Sequence, residues 1–531
     1  MNVFMDNFKP NSNVNENYLI KILVKSWPKE YFREISDIEV IKDFYNTSYQ
    51  NFHKEIEVFL DKYHPASWIR IAYIEIELWT LELLIDKEKQ IEENNKIFAP
   101  IGRYGWRYII EKSLEKLEES DFSSFGDKRP DDIDISKVFT LLLGLSYCKE
   151  ISNYIHYFKN RFTTAKIVFS TTIYGNWPEL EESERLFIND LMSFYNEVVD
   201  YDLVPELNYM DNKDLLDRID LFLQNHFEFS LSEVDVIIKT LKERVAPEIG
   251  ARILVMPTNA LIVMLADYTS IEINRVFNLM NFILFEISNF NYEQRDFLKK
   301  SQNVRMLNFA GCRFDLNNNL KTIYEESALE FEFVETFENH CIISFASLAE
   351  WRVNFVERII FGKRIDLKAL NANMKNDISK IEDFFHRNVF ENNIKNILIN
   401  KGLPCISLEE VEKKKLPCGE IDALSIDEDN KVIYIIEAKN LAPIKDARAS
   451  GNTISDHYKQ KKYHSKFLKK IKWVEENLDT LSAVFKVQVS GNYKIEKYFV
   501  TGSPSPIKFL VSDYHVLTYY EYYSLINKKY G

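Results

Sequence analysis

The stretch from Gly419 to Asn440 reads GEIDALSIDEDNKVIYIIEAKN. Two apolar runs rich in β-branched residues flank a polar turn at residues 427–430, a pattern that predicts a β-hairpin. Three ionisable side chains, Asp422, Glu437 and Lys439, lie inside these runs, where a purely structural strand holds apolar or neutral residues. The hairpin is therefore predicted to carry a chemical site.

Strand periodicity predicts how these three side chains are arranged. Side chains alternate across a strand, so Glu437 and Lys439 share one face. With a two-residue turn at 428–429, Asp422 would lie opposite Ile435 and one diagonal step from Glu437, on that same face. An odd loop or a bulge would break this alignment. Two carboxylates and an ammonium that converge on one face can hold a divalent cation and a phosphate.

Charge is distributed unevenly along the 531 residues, a length that suits two or more domains. Residues 371–531 carry 25 Lys+Arg and 21 Asp+Glu, a balance of +4. Residues 1–370 carry 42 and 60, a balance of −18, and the two parts make up the net charge of −14. This asymmetry predicts a polyanion-binding part at the carboxyl end, joined to an acidic part of another kind.

Cysteine usage and the amino terminus bear on the compartment. Five cysteines are dispersed without a CxxC pair, which favours a reducing compartment and no zinc cluster. No basic segment followed by an apolar run opens the sequence, so no signal peptide is predicted. The apolar run Ile253–Ala266 is too short for a membrane span and contains Pro257. A cytoplasmic protein without a membrane segment is expected.

Helical periodicity dominates residues 1–370, where apolar side chains recur at three- and four-residue spacing. Ser230 and Glu233 have the spacing of a capping box, which predicts a helix start. The region contains no P-loop and no dinucleotide-binding glycine motif, so a role in recognition, regulation or assembly, including homo-oligomerisation, is expected. The predicted helices are Asn17–Lys25, Ile38–Tyr63, Trp68–Lys89, Trp106–Glu118, Ile135–Phe158 and Glu182–Val199.

Helical and strand patterns alternate in residues 371–531. This order predicts an α/β sandwich with a mixed central sheet, placed after a mostly helical domain over residues 1–370. The expected elements around the hairpin are a helix from Ile378 that ends at Gly402, a polar loop Pro443–Ser455, a helix Asp456–Leu478, strands Phe485–Val489 and Ile495–Thr501, and a helix Tyr519–Ile526.

A family resemblance emerges from three of these segments. Phe390-Glu391 to Gly402, then Gly419-Glu420-Ile421-Asp422, then Ile436-Glu437-Ala438-Lys439 resemble the PD-(D/E)XK nuclease superfamily. The Gly-Glu-Ile-Asp motif is similar to the motifs of the restriction-endonuclease-like (Mrr-type) and Holliday-junction-resolvase-like branches of this superfamily. The resemblance covers about residues 378–520 and implies a restriction-endonuclease-like sandwich. Ile421 stands in place of the proline of the family name, and the loop after Lys439 is long.

The resemblance also implies the roles of the hairpin residues. Asp422 and Glu437 would bind Mg²⁺ or Mn²⁺, with the Ala438 carbonyl as an additional oxygen ligand. The metal would polarise the scissile phosphate and lower the pKa of a bound water. Lys439 would orient or deprotonate that water and stabilise charge that develops on phosphorus.

Two questions about the site stay open at the level of sequence. The helical glutamate of the family falls on Glu391, judged by its distance from Gly402, and Glu382 is the alternative. The hairpin charges have a structural reading as well, in which Asp422 protects an edge strand and Glu437 forms a surface ion pair.

A lysine-rich segment, Tyr458–Trp473, follows the hairpin. On a helix, Tyr463, Phe467 and Ile471 would form the buried stripe and leave most of the lysines outward. An outward lysine face is either simply solvated or in contact with phosphate, and the neighbouring nuclease-like site favours phosphate contact. The expected nucleic-acid contacts are Lys459, Lys461, Lys462 and Lys466, with Gln460 facing the site.

The function expected from these patterns is a metal-dependent endonuclease that hydrolyses phosphodiester bonds in DNA. By analogy of architecture, the setting is restriction or anti-phage defence. Two alternatives remain, an RNA-directed nuclease and a non-catalytic nucleic-acid-binding or assembly protein that keeps the nuclease fold.

Overall fold

The computed structural model shows a helical amino-terminal part and a carboxyl-terminal α/β part, as the sequence predicts at this level. None of the helices in these regions is long and apolar enough to cross a membrane. The predicted helix Glu182–Val199 lies outside the described residues. These are residues 14–31, 34–86, 102, 105–116, 130–157, 167–168, 212–241, 243, 253–285, 309–314, 340–361, 371–441 and 447–531.

A first group of helices packs around one apolar core. Asp37 begins α2, because its carboxylate accepts hydrogen bonds from the amides of Glu39 and Val40. Trp68 and Trp106 are fully buried in the core of this group. The helices are α1 (Glu16–Ser26), α2 (Ile38–Lys62), α3 (Pro65–Asp86), α4 (105–116) and α5 (Asp132–Tyr157).

A second group of helices forms a separate core. The predicted capping box is confirmed, since the Ser230 hydroxyl accepts from the Glu233 amide and the Glu233 carboxylate accepts from the Ser230 amide. This core continues past residue 370 through Ile378, Ile381 and Phe385. The helices are α6 (Lys213–Phe227), α7 (Leu231–Thr240), α8 (Thr258–Thr269), α9 (Ile273–Ile283) and α10 (Phe345–Phe361).

A four-stranded sheet that the helical periodicity did not reveal lies between the two cores. Cys312 and Ile342 face the first core, while Cys341 and Ile343 face the second. Because both faces are buried, these strands lack the polar alternation that marks a half-exposed strand. The sheet has the order β3-β6-β5-β4, and its strands are β3 (Ile253–Pro257), β4 (Leu284–Phe285), β5 (Gly311–Phe314) and β6 (His340–Ser344). Two further strands, β1 (Glu34–Ile35) and β2 (Ile167–Val168), pair with each other.

A five-stranded mixed sheet forms the centre of the carboxyl-terminal part, as predicted. Its order is β13-β12-β11-β10-β7, with β11, β12 and β13 parallel and β10 antiparallel to both of its neighbours. The strands of the sheet are β7 (Cys405–Leu408), β10 (Ile421–Asp427), β11 (Val432–Lys439), β12 (Lys494–Thr501) and β13 (His515–Thr518). The short strands β8 (Glu410–Val411) and β9 (Lys414–Lys415) pair only with each other.

Helices cover both faces of this sheet. Phe467, Ile471 and Leu481 pack on one face, and Ile394 and Tyr522 pack on the other. The helices are α11 (Ala372–Phe384), which continues through a π-helical turn (Phe385–Glu391) into α12 (Asn392–Ile399), then α13 (Ala447–Ser455), α14 (Tyr463–Glu476), α15 (Leu478–Phe485) and α16 (Tyr519–Tyr530).

Two predicted elements in this part are wrong, and a third is confirmed only in part. The described residues of the predicted loop Pro443–Ser455 form α13, which packs against α5 with Ile454 on the first core. The predicted strand Phe485–Val489 is not formed; Phe485 ends α15, and β13 provides the edge strand instead. A short apolar run is compatible with either structure, and tertiary packing decides between them. The predicted helix Asp456–Leu478 is interrupted at Lys462, whose φ is 56°.

Close packing of α2 on α5 depends on Gly144. A Cβ at this position would overlap the buried ring of Phe52 and lie 2.8 Å from Leu19 Cδ1. We expect Gly144→Ala to lower the free energy of unfolding by about 1–3 kcal/mol through overpacking. Gly491→Ala is the matched control, because nothing lies within 4 Å of a Cβ there. Equal thermal unfolding midpoints of the two variants would contradict this packing.

Candidate active site

The hairpin has a longer loop than the sequence predicted. Leu424 pairs with Ile435 and Asp427 with Val432, so the loop has the four residues 428–431 and the predicted pairing of Asp422 with Ile435 is wrong. The Asp427 carboxylate explains the loop, since it accepts hydrogen bonds from the backbone and side-chain nitrogens of Asn430 at 2.9 and 2.7 Å.

This register places the two carboxylates face to face. Ala423 pairs with Ile436, and the next step along the ladder sets Asp422 opposite Glu437. The shift from the predicted pairing is two residues, so the shared face is retained. β10 lies between β11 and β7, and both carboxylates are buried. The edge-strand and surface-pair reading of these residues is therefore wrong.

Lys439 joins the two carboxylates. Its Nζ lies 2.9 Å from Asp422 Oδ2, 2.8 Å from Glu437 Oε1 and 2.8 Å from the Ala438 carbonyl oxygen. The Ala438 amide also donates to Asp422 Oδ2, at 2.9 Å. The four hairpin residues named by the sequence are thus brought together at the carboxyl end of β11, where a parallel sheet commonly binds its ligand.

Lys470, on α14, is a fifth member that sequence reasoning missed. Its Nζ lies 3.2 Å from Asp422 Oδ1 and also contacts Glu437 Oε2, and the residue is only 7% exposed. The spacing of Lys470 in the sequence predicts its burial. It lies three residues after Phe467 and four before Val474, which places it on the buried stripe of the helix. A lysine on an apolar stripe next to two carboxylates indicates a buried ion pair.

The ion pairs of the cluster favour the charged forms of Asp422 and Lys439. Burial by itself would raise the pKa of Asp422, but the ammonium groups of Lys439 and Lys470 outweigh it and hold the pKa below its usual value. Burial would lower the pKa of Lys439, yet Asp422 and Glu437 raise it above its ordinary value. Two carboxylates and two ammonium groups give a buried cluster without net charge, which avoids the penalty of an unpaired buried ion.

Glu391 lies beside this cluster, on the π-helical turn. Burial first and the charge of Asp422 second raise the pKa of Glu391 to about 7. His386 Nε2 lies 3.3 Å from Glu391 Oε1, and burial together with Lys439 lowers the pKa of this histidine to about 4. A π-helical turn aligns residues five apart, which an α-helix would turn away from each other. Sequence offered no signal for this turn, so His386 was missed.

Glu382, the alternative helical carboxylate, has different neighbours. Its pKa is raised to about 7 by burial and by Asp383, and Lys461 counteracts this rise. The charges that act on Glu391 include Asp422 and Lys439. The neighbouring charges therefore favour Glu391 as the carboxylate of the site.

The oxygen donors of the cluster suit a hard divalent cation. The carboxylates of Asp422 and Glu437 and the carbonyl of Ala438 already surround two ammonium groups, which shows that this space accepts positive charge. Mg²⁺ and Mn²⁺ prefer such oxygens and keep several waters. Across the described ranges, no group of three or more His, Cys, Asp and Glu side chains is arranged for a metal, so a metal here would rely on a carbonyl and water.

The predicted nucleic-acid contacts lie on the surface next to the site. Lys461 Nζ is 5.8 Å from the ring centroid of Tyr463, and Lys439 Nζ is 5.9 Å from the same centroid. One aromatic ring therefore lies close both to the buried cluster and to an exposed lysine segment. The predicted contacts Lys459, Gln460, Lys461, Lys462 and Lys466 are all exposed, and Gln460 is not buried beside the carboxylates.

Two histidines anchor this lysine segment. His457 Nε2 and His464 Nδ1 lie 2.8 and 3.0 Å from the hydroxyl of Tyr514. Burial, followed by the charge of His464, lowers the pKa of His457 to about 4, so His457 is neutral at physiological pH. These contacts hold the short π-helical turn Asp456–Gln460 against the sheet through the ring of Phe499.

The raised pKa of Glu391 predicts a pH dependence of stability. Between the ordinary pKa of 4.5 and the folded value of about 7, the folded protein holds a proton that the unfolded chain has released. The stabilisation present below pH 4.5 is therefore lost as pH rises through about 7. Glu391→Gln has no carboxyl proton to release, so it lacks this loss of stability. We expect the free energy of unfolding of Glu391→Gln, relative to that of wild type, to increase by about 2 kcal/mol as pH rises from 4.5 to about 7. This value allows for solvent screening.

The measurement is denaturant unfolding in EDTA at several pH values across this window. Glu428→Gln, in the exposed hairpin loop, is the matched control. A stability difference between Glu391→Gln and wild type that stays constant with pH would contradict the prediction.

Comparison with known proteins gives no indication of function. No family model, curated protein or solved structure matches the chain. The resemblance to PD-(D/E)XK nucleases therefore rests on the hairpin motif, the helix that precedes it and the order of the elements around them.

Proposed function

We propose that this chain is a metal-dependent nuclease that hydrolyses phosphodiester bonds in DNA. The observation that carries the proposal is the convergence of Asp422, Glu437, the Ala438 carbonyl and Lys439 in one buried cluster at the carboxyl end of a central strand. Burial of two adjacent carboxylates disfavours folding unless cations neutralise them, so a fold that retains this arrangement is a candidate for a functional site.

A Mg²⁺ or Mn²⁺ ion would be held by the carboxylates of Asp422 and Glu437 and by the carbonyl oxygen of Ala438. When bound, such an ion polarises a phosphoryl oxygen and lowers the pKa of a bound water. The hydrogen bond from the Ala438 amide fixes one oxygen of Asp422, and the ladder fixes the backbone of both strands. The protein thereby orients its donor atoms before any ligand arrives.

Lys439 supplies a fixed positive charge to the reaction. Its pKa is raised by the two carboxylates, so its ammonium keeps its proton at neutral pH. A protonated ammonium donates hydrogen bonds but accepts no proton. Of the two roles that the resemblance implies, orienting water and stabilising negative charge at phosphorus is therefore better supported than deprotonating the water.

Glu391 is the group best suited to accept a proton. In the metal-free protein its pKa is about 7, so part of the Glu391 population is ionised and can act as a general base near neutral pH. His386, with a pKa of about 4, is neutral at that pH and lies 3.3 Å away through its Nε2. The pair can hold one proton between Oε1 and Nε2 beside the carboxylate of Asp422.

The exposed lysine segment supports a polyanionic substrate. Lys459, Lys462 and Lys466 are exposed next to Tyr463, which lies near Lys439. Lysines that contact phosphate bind without reading sequence. We propose restriction or anti-phage defence as the setting, with the helical part in recognition or self-association; RNA as substrate is the alternative.

A second candidate function is binding without cleavage. The observation that favours it is Lys470, whose ammonium completes a neutral cluster with no need of a metal. In such a protein the four charges would only stabilise the sheet, and the lysine segment would still bind nucleic acid.

Replacing Lys439 distinguishes the two candidates. We expect Lys439→Ala to lower the initial rate of DNA cleavage about 100-fold or more, because the developing charge at phosphorus loses its partner. Rates are measured on plasmid, linear and single-stranded DNA and on RNA, with Mg²⁺, Mn²⁺ or EDTA. Lys528→Ala is the matched control, since Lys528 is exposed on α16, across the sheet from α14.

Each outcome of the assay bears on one candidate. Cleavage that survives both EDTA and Lys439→Ala would overturn the metal-dependent mechanism. Binding of nucleic acid without cleavage of any substrate would favour the second candidate. Cleavage of RNA in preference to DNA would replace the proposed substrate.

Removing lysines from the exposed segment tests the nucleic-acid contact. We expect Lys459→Ala with Lys466→Ala to weaken binding at least about tenfold and to reduce the salt slope by about 1 to 2, because each lysine releases about one counterion. Binding is measured by fluorescence anisotropy at several salt concentrations. Lys401→Ala with Lys528→Ala removes equal charge near α12 and α16. Equal losses in both double variants would refute a specific lysine surface.

A further inference from the structure

The ammonium group of Lys470 lies where the proposed function needs a metal. It contacts Asp422 Oδ1 at 3.2 Å and also Glu437 Oε2. Lys439 takes the two remaining oxygens, Asp422 Oδ2 and Glu437 Oε1, at 2.9 and 2.8 Å. All four carboxylate oxygens of the pair are therefore bonded to an ammonium group. A divalent ion cannot bind both carboxylates unless one of these contacts opens.

Lys470 is the contact that can open. Lys439 belongs to the central strand and has a third acceptor in the Ala438 carbonyl, at 2.8 Å. Lys470 reaches the pair from α14, whose position is set by the buried side chains of Phe467 and Ile471. Its four-carbon stem can swing away while the helix stays packed, because rotamer changes need no backbone movement.

Charge balance favours exchange over simple addition. With Lys439 and Lys470 both present, the two carboxylates are neutralised, so an added divalent ion would leave a buried charge of +2. Departure of Lys470 reduces this excess to +1, which the phosphate of a substrate can neutralise. A buried excess charge is disfavoured, so the divalent ion and Lys470 exclude each other.

We propose that Lys470 is a built-in competitor of the divalent metal, so that the ion enters only when the ammonium leaves Asp422 and Glu437. This inference rests on the proposed function and adds the regulation of its metal site. The metal-free site is closed and neutral, and the affinity for the ion is reduced by the fraction of molecules in which Lys470 occupies the pair.

The direct test is Mn²⁺ binding by isothermal titration calorimetry, without nucleic acid. Lys470→Met keeps most of the apolar stem and removes the charge, and we expect it to bind Mn²⁺ about tenfold or more tightly than wild type. Lys469→Met is the matched control, because the neighbouring Lys469 is exposed on the same helix and should leave the affinity unchanged. Equal affinity of Lys470→Met and wild type would overturn the inference.

A second measurement uses the wild-type protein, in case Lys470→Met fails to fold. Lysines are acetylated for a short time with and without Mn²⁺ and located by mass spectrometry. We expect acetylation of Lys470 to rise about fivefold or more with Mn²⁺, since a buried ion-paired amine reacts slowly. Lys469 and Lys472 should react equally in both conditions. Mn²⁺ binding without a change at Lys470 would overturn the inference.

These outcomes separate the inference from the proposed function. Mn²⁺-dependent cleavage with equal Mn²⁺ affinity in wild type and Lys470→Met would overturn the inference alone. Absence of Mn²⁺ binding in both proteins would overturn the inference together with the metal-dependent nuclease. Tighter binding in Lys470→Met without any cleavage would uphold the exchange and count against catalysis.

Discussion

Neutralisation of two buried carboxylates is the interaction on which the carboxyl-terminal part depends. Asp422 and Glu437 lie opposite each other on the two central strands, and like charges in that position repel strongly unless cations separate them. Lys439 comes from the same hairpin, whereas Lys470 comes from a helix packed on the sheet. The charge cluster therefore links α14 to the hairpin in addition to the apolar contacts around it.

The same arrangement neutralises the buried charges and places oxygen donors together. A cluster of two carboxylates and two ammonium groups is neutral, so the interior tolerates it. Its oxygens are nevertheless those that a hard cation prefers, and Lys439 has a third acceptor, the Ala438 carbonyl, while the contacts of Lys470 here are the two carboxylates. The proposed metal would therefore compete with the two ammonium groups for the same four oxygens.

The helical part and the site are connected through two elements. The helix α11 packs in the second core through Ile378 and Ile381, and its π-helical turn then carries Glu391 to the carboxylates. The helix α13 follows the hairpin and packs on α5, with Ile454 against the first core. Both helical cores thus contact segments that adjoin the site.

Sequence by itself determined the hairpin, the shared face of Asp422, Glu437 and Lys439 and the mixed sheet, because strand periodicity and charge placement are local properties. It did not determine the loop length, the strand β13, the π-helical turn that joins His386 to Glu391, or the burial of Lys470. The pairing of β13 and the burial of Lys470 depend on contacts between residues distant in the chain. Only tertiary packing determines them. A charged side chain is buried where charged partners from other parts of the chain offset the free energy of its desolvation.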